Sequence, residues 1–129
     1  MTRIFMAEDD PLMISIYDKA FKINGFDLSM AMDGEAAIAA LTAADPKPEI
    51  VLLDVMMPKK TGFDVLSFMK ADEQLKHIPI VVLTNLSGRE DAEKAISLGA
   101  DLCLVKSQYG PMDTVAKVKE VYEKSQKKN

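Results

Sequence analysis

The chain has 129 residues, 48% of them hydrophobic and 28% charged, enough for one domain that buries roughly two thirds of its unfolded surface without staples. Its net charge of −4 argues against unaided binding to a nucleic-acid backbone, where Lys and Arg must neutralise phosphates. Cys103 is the single cysteine, which excludes an internal disulfide, and the one apolar N-terminal run is too short for a signal peptide or a membrane span, so a cytoplasmic protein without membrane insertion is expected.

Aromatic residues make up only 6%, Trp is absent and Met occurs nine times, so the core should be aliphatic with Met as filler. In chain order, Arg3 to Ala7 reads as a buried strand that breaks into Glu8, Asp9 and Asp10. Asp10 before Pro11 has the arrangement of a helix N-cap ahead of a first-turn proline. Met13, Ile16, Tyr17 and Ala20 then keep helical spacing until Gly25. Leu28 to Met32 is the second strand candidate, and Asp33-Gly34 opens an alanine-rich helix that runs to about Ala43 and stops before Pro46 and Pro48. Ile50 to Leu53 is the third strand, followed by a helix from Thr61 to about Lys70 with Phe63, Leu66 and Met69 on one face. Ile80 to Leu83 is the fourth, and Ser87-Gly88-Arg89-Glu90 reads as a capping box for a helix that ends at Gly99. Leu102 to Val105 is the fifth; the last helix starts near Pro111, turns Val115, Val118 and Val121 or Tyr122 inward, and carries Lys124, Lys127 and Lys128 at a solvated end.

All strands but the second are nearly continuous apolar runs, the mark of strands covered on both faces. Five strand-then-helix repeats joined by right-handed crossovers give an α/β fold, a doubly wound parallel sheet over residues 1–129. In such sheets the ligand site lies outside the carboxyl ends of the strands, where strand order reverses. The residues that follow the strands there are Glu8 and Asp9, Asp54, Thr84 and Lys106. Three carboxylates together are tolerable if a divalent cation and one ammonium offset them, and oxygen ligands with waters suit Mg²⁺. Glu8 and Asp9 alone would pass as solvated loop acids; beside Asp54, Thr84 and Lys106 they read as part of a site.

These residues carry a resemblance to the receiver domains of two-component response regulators. The matching stretches are the acidic pair in "FMAEDDP", "VLLDVMMP" with Asp54 followed by Met57-Pro58, Gly62 beyond it, "VVLT" ending in Thr84, and "LVK" ending in Lys106. The resemblance implies a flavodoxin-like (βα)5 fold with strand order 2-1-3-4-5. It implies that Asp54 accepts a phosphoryl group from a phosphohistidine on a sensor histidine kinase or a histidine phosphotransferase, as in phosphorelays. It further implies that Asp9, Asp54 and the Met56 backbone carbonyl ligate Mg²⁺ directly, with Glu8 acting through water. Lys106 and Thr84 would then contact phosphoryl oxygens, and the face of the fourth helix, fifth strand and fifth helix would engage a downstream target protein. On this reading the chain is a signalling phosphoacceptor and not a conventional enzyme. Since it ends about one helix after Lys106, the expectation is a stand-alone receiver, or a DNA-binding or enzymatic regulator if a further domain follows.

Three positions depart from the family pattern. Cys103 stands where a switching aromatic is usual and reads as a small apolar filler; Ser107 follows Lys106 where a cis-proline is common; Asn85 follows Thr84 where a small residue is typical. A cis bond before Ser107 would cost roughly 3 kcal/mol, so the loop is either strained or trans and differently shaped. Met56 and Leu86, two residues beyond Asp54 and Thr84, are apolar and cannot orient an attacking water, which predicts a long-lived phosphoryl group. Pro11, Leu12 and Ile14 beside the acids suggest a partner-docking patch, whereas His77 reads as an exposed loop residue. Two other functions compete. A haloacid-dehalogenase-type phosphohydrolase would need an Asp-x-Asp after the first strand, which "AEDDP" lacks, and a flavin site would not face phosphate with carboxylates. A receiver-like module that works by contact without phosphorylation is the remaining alternative.

Overall fold

Residues 1–85 and 89–127 are described by a computed structural model; Leu86 and the Ser87-Gly88 half of the expected capping box lie outside them. The alternating pattern produces β1 (Thr2–Ala7), α1 (Pro11–Ile23), β2 (Phe26–Ala31), α2 (Gly34–Ala43), β3 (Ile50–Asp54), α3 (Gly62–Ala71), β4 (Ile80–Thr84), α4 (Arg89–Ser97), β5 (Leu102–Val105) and α5 (Pro111–Lys127). The strands are parallel, in the order β2-β1-β3-β4-β5. Order reverses between β1 and β3, which therefore flank the crevice where such sheets bind ligands.

Two apolar layers hold the sheet. On one face Ile4, Met6, Ile50, Leu52, Val81, Leu83 and Leu104 meet Tyr17 and Phe21 of α1 and Val115 and Val118 of α5. On the other, Phe5, Val51, Leu53, Ile80 and Val82 meet Ala37 and Leu41 of α2, Val65, Leu66 and Met69 of α3 and Ala95 of α4. Every residue of β3 and β4 is buried, as the continuous apolar runs require.

Local signals set the helix starts. The Asp10 carboxylate accepts the Leu12 N–H at 3.0 Å, and Asp33 accepts the Ala36 N–H at 2.7 Å. Thr61 and Asp64 form a reciprocal capping box at α3. Two expectations shift. β2 begins at Phe26, two residues before the apolar run suggested, because Phe26 sets its ring edge-on against Phe21 at 5.3 Å. In α3 the fully buried face is Val65, Leu66 and Met69, whereas Phe63 stays half-exposed with the Lys94 ammonium 4.5 Å above its ring.

Register then delivers the strand ends to one place. Ala7 pairs with Leu53, so Glu8 lies level with Asp54, and Thr84 pairs with Val105, one residue before Lys106. Side chains alternate across a strand. Glu8 continues Ile4 and Met6, Asp54 continues Ile50 and Leu52, and Lys106 continues Leu102 and Leu104, all toward α1 and α5. Thr84 continues Ile80 and Val82 and Cys103 packs beside them, toward α2, α3 and α4.

Candidate functional site

At the carboxyl end of the sheet, Lys106 bridges two buried acids, Glu8 just after β1 and Asp54 at the end of β3. Its Nζ lies 2.6 Å from Glu8 Oε1 and 3.2 Å from Asp54 Oδ2. Glu8 and Asp54 are each 1% exposed. The second Glu8 oxygen, Oε2, turns back on its own chain and accepts the N–H groups of Asp9 at 3.0 Å and Asp10 at 3.3 Å. Glu8 thus braces the β1–α1 turn as well as pairing with the lysine. Asp54 Oδ1 accepts the Met56 N–H at 3.4 Å, a longer contact than any that Glu8 Oε2 receives.

Asp9, exposed at the rim, completes the cluster: one carboxylate oxygen from each of Glu8, Asp9 and Asp54 lies within 4.8 Å of the others. The electrostatics follow from three acids sharing one ammonium. Burial, and then the Glu8 charge, push the Asp54 carboxyl up to about 7 against the pull of Lys106. Burial also raises Asp9, with Glu8 adding to the rise. Burial acts to raise Glu8 too, but the Lys106 hydrogen bond and the neighbouring Asp54 bring it below the usual carboxylate range. Lys106 is desolvated, yet its hydrogen bond to Glu8 and the Asp54 charge hold it above an ordinary lysine. The cluster is short of positive charge, and an all-oxygen donor set of this kind suits a hard divalent cation.

The other residues singled out in the sequence are distributed as follows. Thr84 is fully buried at the end of β4, with exposed Asn85 beside it. Pro11 and Leu12 are exposed, Leu12 at 67%, and Ile14 is half-buried. The Met56 side chain is 54% exposed. Cys103 is half-buried, its thiol pushed up by burial and by Asp91, which suits an inert packing residue. The Lys106–Ser107 peptide is trans, since Asp45–Pro46 is the one cis bond among the described residues, and Lys106–Gln108 form a 3₁₀ turn before α5. His77 is exposed, as expected.

Lys59 and Lys60, which no sequence pattern singles out, shape the loop after Asp54 together with Pro58 and Gly62. Lys59 has φ 69°, and Lys60 N–H donates to Pro58 O at 2.9 Å. Gly62 N–H closes the loop on Val55 O at 3.1 Å. Asp33-Gly34 reads from sequence only as the opening of α2; that Gly34 N–H also reaches Pro58 O at 3.4 Å in this loop is visible in the structure alone. A cavity of about 620 Å³, lined by Pro48, Pro79, Asp101, Leu104 and Lys117, lies away from the acids.

A parallel sheet with clustered acids, a hydroxyl and a lysine at its carboxyl ends makes this an α/β domain with a charged site at the strand ends, and comparison with known proteins gives its family. The family model described as "Response regulator receiver domain" matches residues 4–119, and the chain belongs to that family. Response regulator PleD of Caulobacter vibrioides is 37% identical over 113 residues, covering 88% of this chain and 24% of PleD. The structure of the phosphorylated cyanobacterial phytochrome response regulator RcpA aligns at 27% identity with a TM-score of 0.77, covering 96% of this chain and 88% of that one. The Mn²⁺-bound form of response regulator Rcp1 aligns at 28% identity, also with a TM-score of 0.77, over 98% and 90% of the two chains. The chain spans between 24% and 51% of the length of the first curated relatives it matches. Receivers are signalling domains that accept phosphoryl groups and bind Mg²⁺ at an acidic pocket. No helix among the described residues is long and apolar enough to cross a membrane.

Proposed function

We propose that this receiver takes a phosphoryl group from a phosphohistidine of a sensor histidine kinase or histidine phosphotransferase onto Asp54, and that the modified domain changes its protein contacts. The observation that carries this reading is the Lys106 ammonium held between Glu8 and Asp54 beside Asp9 at the carboxyl end of the sheet. An Asp54 oxygen forms the bond to phosphorus as the phosphorus–imidazole bond breaks; the electron pair stays on the departing nitrogen, which takes up a proton. Such transfer depends on in-line positioning and charge neutralisation more than on covalent chemistry from the protein.

Glu8, Asp9, Asp54 and the Met56 carbonyl are the groups that would hold Mg²⁺, which when bound neutralises phosphoryl charge and keeps Asp54 ionised. A bound Mn²⁺ in Rcp1 and a phosphorylated RcpA support the assignment. Lys106 would meet a second phosphoryl oxygen and Thr84 a third. Phosphorylation adds about one negative charge beyond the carboxylate it replaces, drawing Thr84 and Lys106 inward and shifting the loops after β4 and β5. Ala95 is the one buried residue of α4, so the target-facing surface of α4, β5 and α5 has a lightly anchored element to bias. With Cys103 in place of the usual aromatic, Thr84 carries the switch.

We further assign residues 1–129 to one receiver domain working in the cytoplasm, with Pro11, Leu12 and Ile14 as the edge that docks the phosphodonor. Replacing Leu12 and Ile14 together by Ala should slow transfer from the protein donor and leave modification by a small donor unchanged. The deciding experiment is incubation with acetyl phosphate, with and without Mg²⁺, read by intact mass beside Asp54→Asn. A Mg²⁺-dependent phosphate adduct absent from the Asn variant is expected. No adduct on folded protein with active donor would overturn phosphoryl acceptance and favour a module that works by contact alone.

A further inference from the structure

The loop between Asp54 and α3 is pinned at two points, one of which belongs to α2. Near its base, Gly62 presses on the Asp54 backbone: a Cβ there would lie 2.3 Å from the Asp54 carbonyl oxygen. At its far side, buried Gly34 presses on Lys60: a Cβ there would lie 2.0 Å from the Lys60 carbonyl oxygen and 2.5 Å from Lys60 Cβ. The Pro58 carbonyl accepts two N–H groups, Lys60 at 2.9 Å from within the loop and Gly34 at 3.4 Å from α2. A φ of 69° at Lys59 with a hydrogen bond from residue 60 to residue 58 is the γ-turn of positive φ, rare and strained for a residue with a side chain. Strain of this kind persists only where the surroundings over-determine it. The Lys59–Asp33 ion pair, at 3.9 Å with the Lys59 side chain 60% exposed, is too solvated to do this. The loop is held at its base by Gly62 and the buried Met57 side chain, and on the side of the Lys59 turn by the backbone contact of Gly34.

We infer that the N-terminus of α2 is a positioning element for the cation site. Gly34 and the Lys59 turn fix the loop from its outer side, and so hold the Met56 carbonyl between the anchors at Val55 and Pro58. Neither residue touches the cation or the phosphoryl group; both act through the loop backbone. This rests on the proposed function, which makes the Met56 carbonyl a metal ligand. Partners that orient metal ligands are worth about 10–100-fold in affinity.

The test is a Mg²⁺ titration followed by backbone amide shifts of isotope-labelled protein, for wild type and single variants. In Gly34→Ala the new methyl must retreat by about 1 Å from the 2.0 Å position to reach the 3.0 Å below which real contacts essentially never fall, so α2 and the loop part. Mg²⁺ binding should weaken about ten-fold. Gly25→Ala is the comparison for general destabilisation, since Gly25 has φ +83° but no atom within 4 Å of an added Cβ; it should lower the melting temperature and leave Mg²⁺ affinity unchanged. Lys59→Pro forces φ negative and should weaken Mg²⁺ as Gly34→Ala does, whereas Lys59→Gly keeps the turn and should bind as wild type. The Lys59 pair decides the matter if Gly34→Ala does not fold. Wild-type affinity in Gly34→Ala or Lys59→Pro would overturn the positioning role alone, as would equal weakening in Gly25→Ala. If Asp54→Asn leaves the wild-type titration unaltered, the cation site itself is refuted, and this inference with it.

Discussion

Replacing Asp54 by Asn in protein stripped of metal by a chelator isolates the cost of the buried acceptor charge. The Asp54 carboxyl is 1% exposed and titrates at about 7 in the fold, against 3.8 when unperturbed. The folded state therefore holds this proton more tightly than the unfolded chain, and between those two values the Asp54 contribution makes stability fall as pH rises. The interval of about three pH units corresponds to an upper bound of roughly 4 kcal/mol above neutrality. Asn keeps the shape and has no charge to desolvate, and Lys106 retains Glu8 at 2.6 Å. The gap between variant and wild type should be smallest near pH 4, widen in favour of Asn through about 7, and then level off. Urea denaturation followed by far-UV circular dichroism reads this as a midpoint difference of up to about 2 M, for a slope near 2 kcal/mol/M. Saturating Mg²⁺ should narrow the gap by favouring ionised Asp54. A gap independent of pH, or one that closes as pH rises, would refute the account of an under-neutralised cluster.

Three further outcomes are expected. Lys106→Met should destabilise the metal-free protein by about 3 kcal/mol, since removing one partner leaves Glu8 and Asp54 buried without a cation, and Mg²⁺ should restore part of the loss in a denaturation series. Gly62→Ala places a methyl 2.3 Å from the Asp54 carbonyl oxygen; a loss of about 1–3 kcal/mol should accompany slower modification by acetyl phosphate in a mass time course. The phosphoryl group, isolated from its donor, should persist well beyond seconds, because exposed Met56 offers no group to orient water, and Met56→Asn should shorten its life; loss of label within seconds from the unaltered chain would contradict this.

The element order and the chemistry at the strand ends were legible in the sequence because both are local properties. Apolar runs mark buried strands, and Asp10 and Asp33 announce caps that the structure contains. Even the shared direction of Glu8, Asp54 and Lys106 follows from counting residues back along each apolar run, since strand side chains alternate. Where local patterns compete, the sequence was less informative: Phe26 lies outside the β2 run yet belongs to the strand, and Phe63 has the right spacing for the core but stops half-way, over Lys94. The rest was decided by tertiary structure alone. That Lys106 sits closer to Glu8 than to Asp54, and that Gly34 meets the Lys60 carbonyl, are distances between segments far apart in the chain. Lys106 and Glu8 are separated by 98 positions. No periodicity spans such an interval; strand order and register bring those groups to one edge, and packing then determines which of them carries the unmet charge.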